Sequence, residues 1–208
     1  LDIDLNKPIV LFTQHSVTTE FKLAAEQIVP SLNALEELAK KGVQVIATYP
    51  NNDAGGCAII EKLAEMDARS IDGIQVHRSL GRYLYHGVLA LAKDPERKLV
   101  CAGNSSSGIK ETPVFGCPTV NIGSRQSGRL RGQNVLDADY GTSSVVDAVM
   151  RCIEDEKFRK TCLETDNPYY LGDAGKKIAE VLANVPIDEA LIRKQMTLRG
   201  ETHDGWFR

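Results

Sequence analysis

Asn104, Ser105, Ser106 and Ser107 stand between Gly103 and Gly108, behind the apolar run 99–102 and ahead of Ile109 to Thr112. This order predicts a short buried strand, a tight turn of small residues and the start of a helix. A helix start leaves backbone N–H groups without intrahelical acceptors and carries partial positive charge. Glycine and serine let an anion approach that end closely. Glu111 falls one turn further along, on the same side as Ser107 and Gly108. One turn is about 5.4 Å, roughly the offset between a diphosphate and the ribose it is attached to. The stretch therefore offers a seat for phosphate and, one step on, a carboxylate able to accept hydrogen bonds from ribose hydroxyls. The same serines also fit a plain N-cap, a position that serine favours.

Three other polar clusters follow apolar runs in the same way. His15 comes after the run 8–13, Asn51 to Asp53 after 43–48, and Arg125 after 117–122, at the head of a basic loop over 123–132. The pattern predicts strands over 8–13, 43–48, 74–77, 98–102, 117–122 and 134–137. Helices are predicted over about 18–40 (with Thr18 or Thr19 as cap), 54–66, 80–92, 106–115, 143–154, 157–163, 173–184 and 187–196. Strands alternating with helices imply right-handed βαβ units and an α/β, doubly wound, Rossmann-like parallel sheet. Ligands bind such sheets beyond the carboxyl ends of the strands, where all four polar clusters fall. No G-x-G-x-x-G follows the first strand and no P-loop motif is present, which leaves a nicotinamide dehydrogenase or a P-loop ATPase unsupported.

Composition narrows the class. In 208 residues, 42% are hydrophobic and 25% charged, the balance of a globular chain long enough to bury a full core. A net charge of −3 gives no general nucleic-acid footprint. Cys57, Cys101, Cys117, Cys152 and Cys162 lack C-x-x-C spacing, so reduced thiols, a cytoplasmic setting and no structural zinc are expected. They are read as small buried residues or inert thiols. No apolar run reaches the roughly 18 residues of a membrane span. His77 and His86 are assigned no role.

Three segments carry a family likeness. Residues 49–55, 103–111 and 115–126 resemble the UDP-N-acetylglucosamine 2-epimerase family. The forms at 103–108 (GNSSSG) and 121–126 (NIGSRQ) resemble its hydrolysing branch, which releases UDP and N-acetylmannosamine, or a related sugar, in sialic-acid-like biosynthesis. Residues 12–18 are similar to the segment that opens the second half of such enzymes, with Ser16 where the family usually has proline. The likeness runs in order from Pro8 to about Leu182. It implies the second domain of a glycosyltransferase-B-type enzyme, in which two Rossmann-like domains hold a nucleotide sugar between them. The first domain, which the resemblance implies carries the proton-transferring carboxylates, has no counterpart here, and an opening at Leu1 without methionine fits that. The expectation is a carboxy-terminal fragment, inactive alone, with a UDP-binding domain over 1–186 and a helix and tail over 187–208.

The resemblance also assigns roles. Its chemistry is anti elimination of UDP followed by hydration of a 2-acetamidoglucal. Ser105 and Ser106, with their N–H groups, would hold the departing diphosphate, and Asn104 beside them would belong to the UDP-binding set. Glu111 would hold the ribose hydroxyls, and Arg125 the diphosphate or the uridine side. His15 would stand by the leaving phosphate as hydrogen-bond donor or acid. Asn51 and Asp53 would line the cleft, with helix capping an even alternative for Asp53. Arg129 and Arg131 are read as loop or subunit contacts, and the turn 167–169 as structural support. Expected partners are UDP, a UDP-N-acetylhexosamine, the absent amino-terminal domain and a second copy of the intact protein. No cofactor, metal, nucleic acid or membrane is expected. Two other functions fit the residues: the donor half of a UDP-sugar glycosyltransferase, or a non-catalytic nucleotide-sugar sensor.

Overall fold

Strand β1 (Ile9–Thr13) is buried at all five positions. Alternate side chains leave a strand on opposite faces, so Val10 and Phe12 enter one core and Ile9 and Leu11 the other. A strand apolar on both faces belongs inside a covered parallel sheet. β1 lies there, between β2 (Gln44–Thr48) and β4 (Leu99–Gly103). With β3 (Ile74–His77), β5 (Thr119–Ile122) and β6 (Val135–Ala138), the sheet has six parallel strands in the order β3-β2-β1-β4-β5-β6. This is the doubly wound α/β fold expected from the sequence. The strand order reverses at β1 and β4, which opens a crevice beyond their carboxyl ends.

The computed structural model describes residues 1–170 and 172–193, with positions 202–203 and 206–207 described as backbone only. Two compact units form, Leu1–Tyr169 and Tyr170–Arg208. The first holds the sheet. On one face lie α1 (Ala24–Lys40), α2 (Gly56–Ala68) and α5 (Thr142–Glu154), which supply Ile28, Leu35, Ile59, Leu63 and Val149 to the larger core. On the other, α3 (Gly81–Ala90) contributes Val88 and Leu89. Each fully buried side chain of this size stabilises by about 1.5–3 kcal/mol. α4 (Ser107–Lys110) follows β4, and α6 (Glu156–Leu163) follows α5. The second unit holds α7 (Ala174–Asn184), α8 (Glu189–Ile192) and the antiparallel pair β7 (Thr202–His203) and β8 (Trp206–Phe207). α8 falls within the helix expected over 187–196; positions 194–196 of that helix lie outside the described residues. Among the described residues no helix is long and apolar enough to cross a membrane.

Several local expectations are corrected. The first helix opens as a 3-10 turn, Thr18–Leu23, capped by neither Thr18 nor Thr19. That turn packs on the start of α2, where a Cβ on Gly55 would lie 2.8 Å from the Phe21 carbonyl. Asp53 does not cap α2: Gly55, at φ 87°, is the N-cap, without a side-chain bond. The helix expected over 106–115 is two pieces, α4 and a 3-10 turn over Thr112–Phe115. Pro113 is the cause, since it has no N–H to donate to the Ile109 carbonyl and its ring would crowd that group. Cys57 is exposed, whereas the other four thiols are buried.

The β1–β4 pair closes tightly at its carboxyl end. Gly103 faces Thr13 in the ladder with φ 123°, and a Cβ there would sit 2.0 Å from the Thr13 carbonyl oxygen. Only glycine meets both conditions. The close approach carries the chain directly into the serine bend.

Candidate functional site

The bend is fastened by Asn104, which is 1% exposed. Its Oδ1 accepts from the His15 N–H at 2.6 Å and its Nδ2 donates to the His15 carbonyl at 2.8 Å. The loop after β1 and the loop after β4 are thereby locked together at the strand-order reversal. The Asn104 carbonyl accepts from Arg125 Nη1 at 3.2 Å and from Gln126 Nε2 at 2.7 Å, which ties in the loop after β5. Arg125 Nη2 also donates to Asp53 Oδ2 at 3.2 Å, which brings in the loop after β2. Asn51 completes the set. Its Nδ2 donates to Asp53 Oδ2 at 2.8 Å and its N–H to His15 Nδ1 at 2.9 Å. His15, Asn51, Asp53, Asn104 and Arg125, far apart in sequence, are one connected polar cluster.

Electrostatics define what His15 can do there. Burial, followed by the nearby Arg125 guanidinium, lowers its pKa from 6.5 to about 4. The ring is therefore neutral near pH 7. Because Nδ1 accepts from Asn51, the proton resides on Nε2. In this state the ring offers one neutral hydrogen-bond donor, Nε2–H. The Asp53 carboxyl lies below its usual range, held there by Asn51 and then Arg125.

Ser105 and Ser106 form the bend itself. Ser105 Oγ accepts from the Ser107 N–H at 3.3 Å, and Ser106 is the N-cap of α4. The N–H groups of Ser105 and Ser106 have no acceptor among the described residues. With only four residues in α4, a long-helix dipole contributes little, and any anion here would be held by these local donors.

Glu111 stands at the junction of α4 and the following 3-10 turn, outside the hydrogen-bonded His15–Asp53–Arg125 cluster but joined to the same bend through Ser107. Ser107 Oγ donates to Glu111 Oε2 at 3.1 Å. His86, from α3, brings its Nε2 to 2.9 Å from the same oxygen. Both residues line a cavity of about 350 Å³ bounded also by Thr48, Tyr49, Tyr85 and the loop 78–82. A roomier groove of about 710 Å³ opens at the amino ends of β2 and β3, but parallel sheets place ligands at the opposite edge.

His86 and the loop 78–82 are the residues that sequence reading missed. A signal for the loop was present, since Arg78 follows a strand as the other clusters do. For His86 there was none, because its partner is set by α3 lying beside α4. The turn at 167–169 braces α4 from behind: Asn167 Nδ2 donates to the Lys110 carbonyl at 2.9 Å, and Lys110 Nζ lies 5.4 Å from the Tyr169 ring centre. Arg131 pairs with Asp137 and stands apart from the cluster.

Comparison with known proteins follows the same outline. A UDP-N-acetylglucosamine 2-epimerase of Neisseria meningitidis is 32% identical over 173 residues, 82% of this chain and 41% of that protein. The GDP/UDP-N,N'-diacetylbacillosamine 2-epimerase (hydrolyzing) of Campylobacter jejuni is 33% identical over 192 residues, 92% of this chain and 47% of that protein. The chain thus spans about half the length of the curated relatives it matches. The crystal structure of the UDP-GlcNAc 2-epimerase from Neisseria meningitidis bound to UDP-GlcNAc superposes with a TM-score of 0.63 at 18% identity, over 87% of this chain and 46% of that one. Residues 2–183 match the family described as UDP-N-acetylglucosamine 2-epimerase, and the chain belongs to that family.

Proposed function

We propose that this chain is the UDP-binding, carboxy-terminal half of a hydrolysing UDP-N-acetylglucosamine 2-epimerase. The observation that carries the reading is the Asn104–Ser107 bend at the strand-order reversal, with the His15–Asp53–Arg125 cluster and the Glu111 cavity both joined to it. The bend supplies N–H and hydroxyl donors for a diphosphate, His15 Nε2–H adds a neutral donor, and Arg125 adds positive charge. Glu111 accepts from the ribose hydroxyls, and the cavity between α3 and the end of β2 takes the rest of the nucleoside.

The chemistry follows from the direction of charge flow. Elimination moves negative charge onto the departing diphosphate, so donors aimed at it stabilise the transition state more than the bound substrate. Each hydrogen bond to a charged acceptor contributes about 1.5–3 kcal/mol. Asp53 keeps the Arg125 guanidinium aimed at the cluster. Nothing in this half is assigned to abstract the sugar proton; that step belongs to the half that the relatives possess in addition. The forms at 103–108 and 121–126, and the hydrolysing Campylobacter relative, favour the hydrolysing type.

Proton NMR of a UDP-N-acetylglucosamine mixture tests the reading. The 208-residue chain alone is expected to bind the nucleotide sugar without consuming it. Protein from a reading frame that also supplies the preceding domain is expected to release UDP and free N-acetylmannosamine, or a related sugar, one for one. Interconversion of intact nucleotide sugars without UDP release would contradict the hydrolysing assignment.

A further inference from the structure

Glu111 is held by two donors on one oxygen. His86 Nε2 and Ser107 Oγ both meet Oε2, at 2.9 and 3.1 Å, and Oε1 has no partner among the described residues. A carboxylate oxygen has two lone-pair directions, so Oε2 is filled and Oε1 is left to accept. His86 is itself fixed. Its ring centre lies 5.7 Å from that of Phe115, tilted by 46°, and Phe115 in turn lies under Lys93 Nζ at 5.5 Å. The imidazole thus spans from α3 to the 3-10 turn behind α4, and its contact with Glu111 fixes the carboxylate rotamer from the far side. Glu111 alone, half-exposed on a short helix, would sample several rotamers.

We propose that His86 is a positioning residue that presents Glu111 Oε1 to a vicinal diol, so that the 350 Å³ cavity selects ribose over deoxyribose. This rests on the reading of the cavity as the nucleoside end of a UDP site. The 2′-hydroxyl and 3′-hydroxyl of a ribose are two donors side by side, and an oxygen held in place accepts from them without first losing rotamer freedom. His86 touches no reacting atom; it acts through Glu111. A serine alone cannot do this, because Ser107 and Glu111 lie on one helical turn and move together.

Calorimetry with UDP and 2′-deoxy-UDP, on the wild-type chain and on His86→Phe and His86→Gln, tests it. The wild type is expected to prefer UDP by about tenfold, the effect of one hydrogen bond to a charged acceptor. His86→Phe keeps an aromatic ring against Phe115 but has no donor. It should cut that preference to about twofold, weakening UDP much more than 2′-deoxy-UDP, which keeps only the 3′-hydroxyl. His86→Gln, whose amide N–H can reach the same oxygen, should restore most of the preference. A His86→Phe chain that keeps the full preference overturns the proposal while leaving the nucleotide reading intact. So does an equal loss of both nucleotides, which marks a merely structural role. A wild type that binds UDP and 2′-deoxy-UDP equally, or neither, overturns the proposal together with the assignment of the cavity.

Discussion

The Asn51 N–H that meets Nδ1 of His15 has consequences for pH. The folded pKa of about 4 lies below the ordinary 6.5, so between these values the unfolded chain binds more protons than the folded one. The contribution of His15 to stability is complete above pH 6.5 and is lost as pH falls through that window toward 4. After discounting for partial exposure it is on the order of 2 kcal/mol. Urea unfolding of His15→Gln across that range should show a shallower acid limb than wild type, and equal slopes would contradict the assignment. Arg125 makes a different prediction. Its planar fork bonds Asn104 and Asp53 at once, which an ammonium cannot reproduce. Arg125→Lys should weaken UDP by about five- to tenfold, while stability changes by less than about 1 kcal/mol, as for other partly exposed ion pairs. Calorimetry and melting curves separate the two effects. At this scale the polar residues were legible because each follows a buried strand. The state of His15 was not, because its tautomer is fixed by a backbone group 36 residues away.

At the scale of elements, the site depends on how β1 and β4 end together. Asn104→Ala removes the two bonds that hold the His15 N–H and carbonyl. With these backbone groups partly buried and unpaired, the cost should be about 2–4 kcal/mol in urea unfolding. Gly103→Ala should cost about 3 kcal/mol or more, because its Cβ would meet the Thr13 carbonyl and its φ is one that alanine avoids. A neutral result for either would show that the crevice tolerates separation of the two strands. The strands were readable as continuous apolar runs, most plainly β1 and β4, since a parallel sheet covered on both faces leaves no polar alternation to mislead. Helix starts were harder. Thr18, Thr19 and Asp53 all look like caps, yet the first two lie on a 3-10 turn packed against Gly55, and Asp53 is turned toward Arg125. Tertiary charge and packing overrode local preference in each case. Pro113 was the available signal for the break behind α4, yet the expected helix over 106–115 ran through it.

Across the whole molecule, the claim is that one edge of the sheet binds a nucleoside diphosphate. The order β3-β2-β1-β4-β5-β6 makes that edge, and the loops after β1, β2, β4 and β5 meet on it through His15, Asn104 and Arg125. The fold and this convergence were foreseeable from alternation and strand-end polarity; the cavity built by α3 against α4 was not, because it depends on how two helices lie side by side. The most direct test is a titration of the ¹⁵N-labelled chain with UDP, read residue by residue as amide shifts. The account predicts the largest changes at Ser105, Ser106, His15 and Asn51, and along 78–82 at the cavity mouth. Shifts confined to the groove at the amino ends of β2 and β3, or none at millimolar UDP with the chain folded, would contradict it.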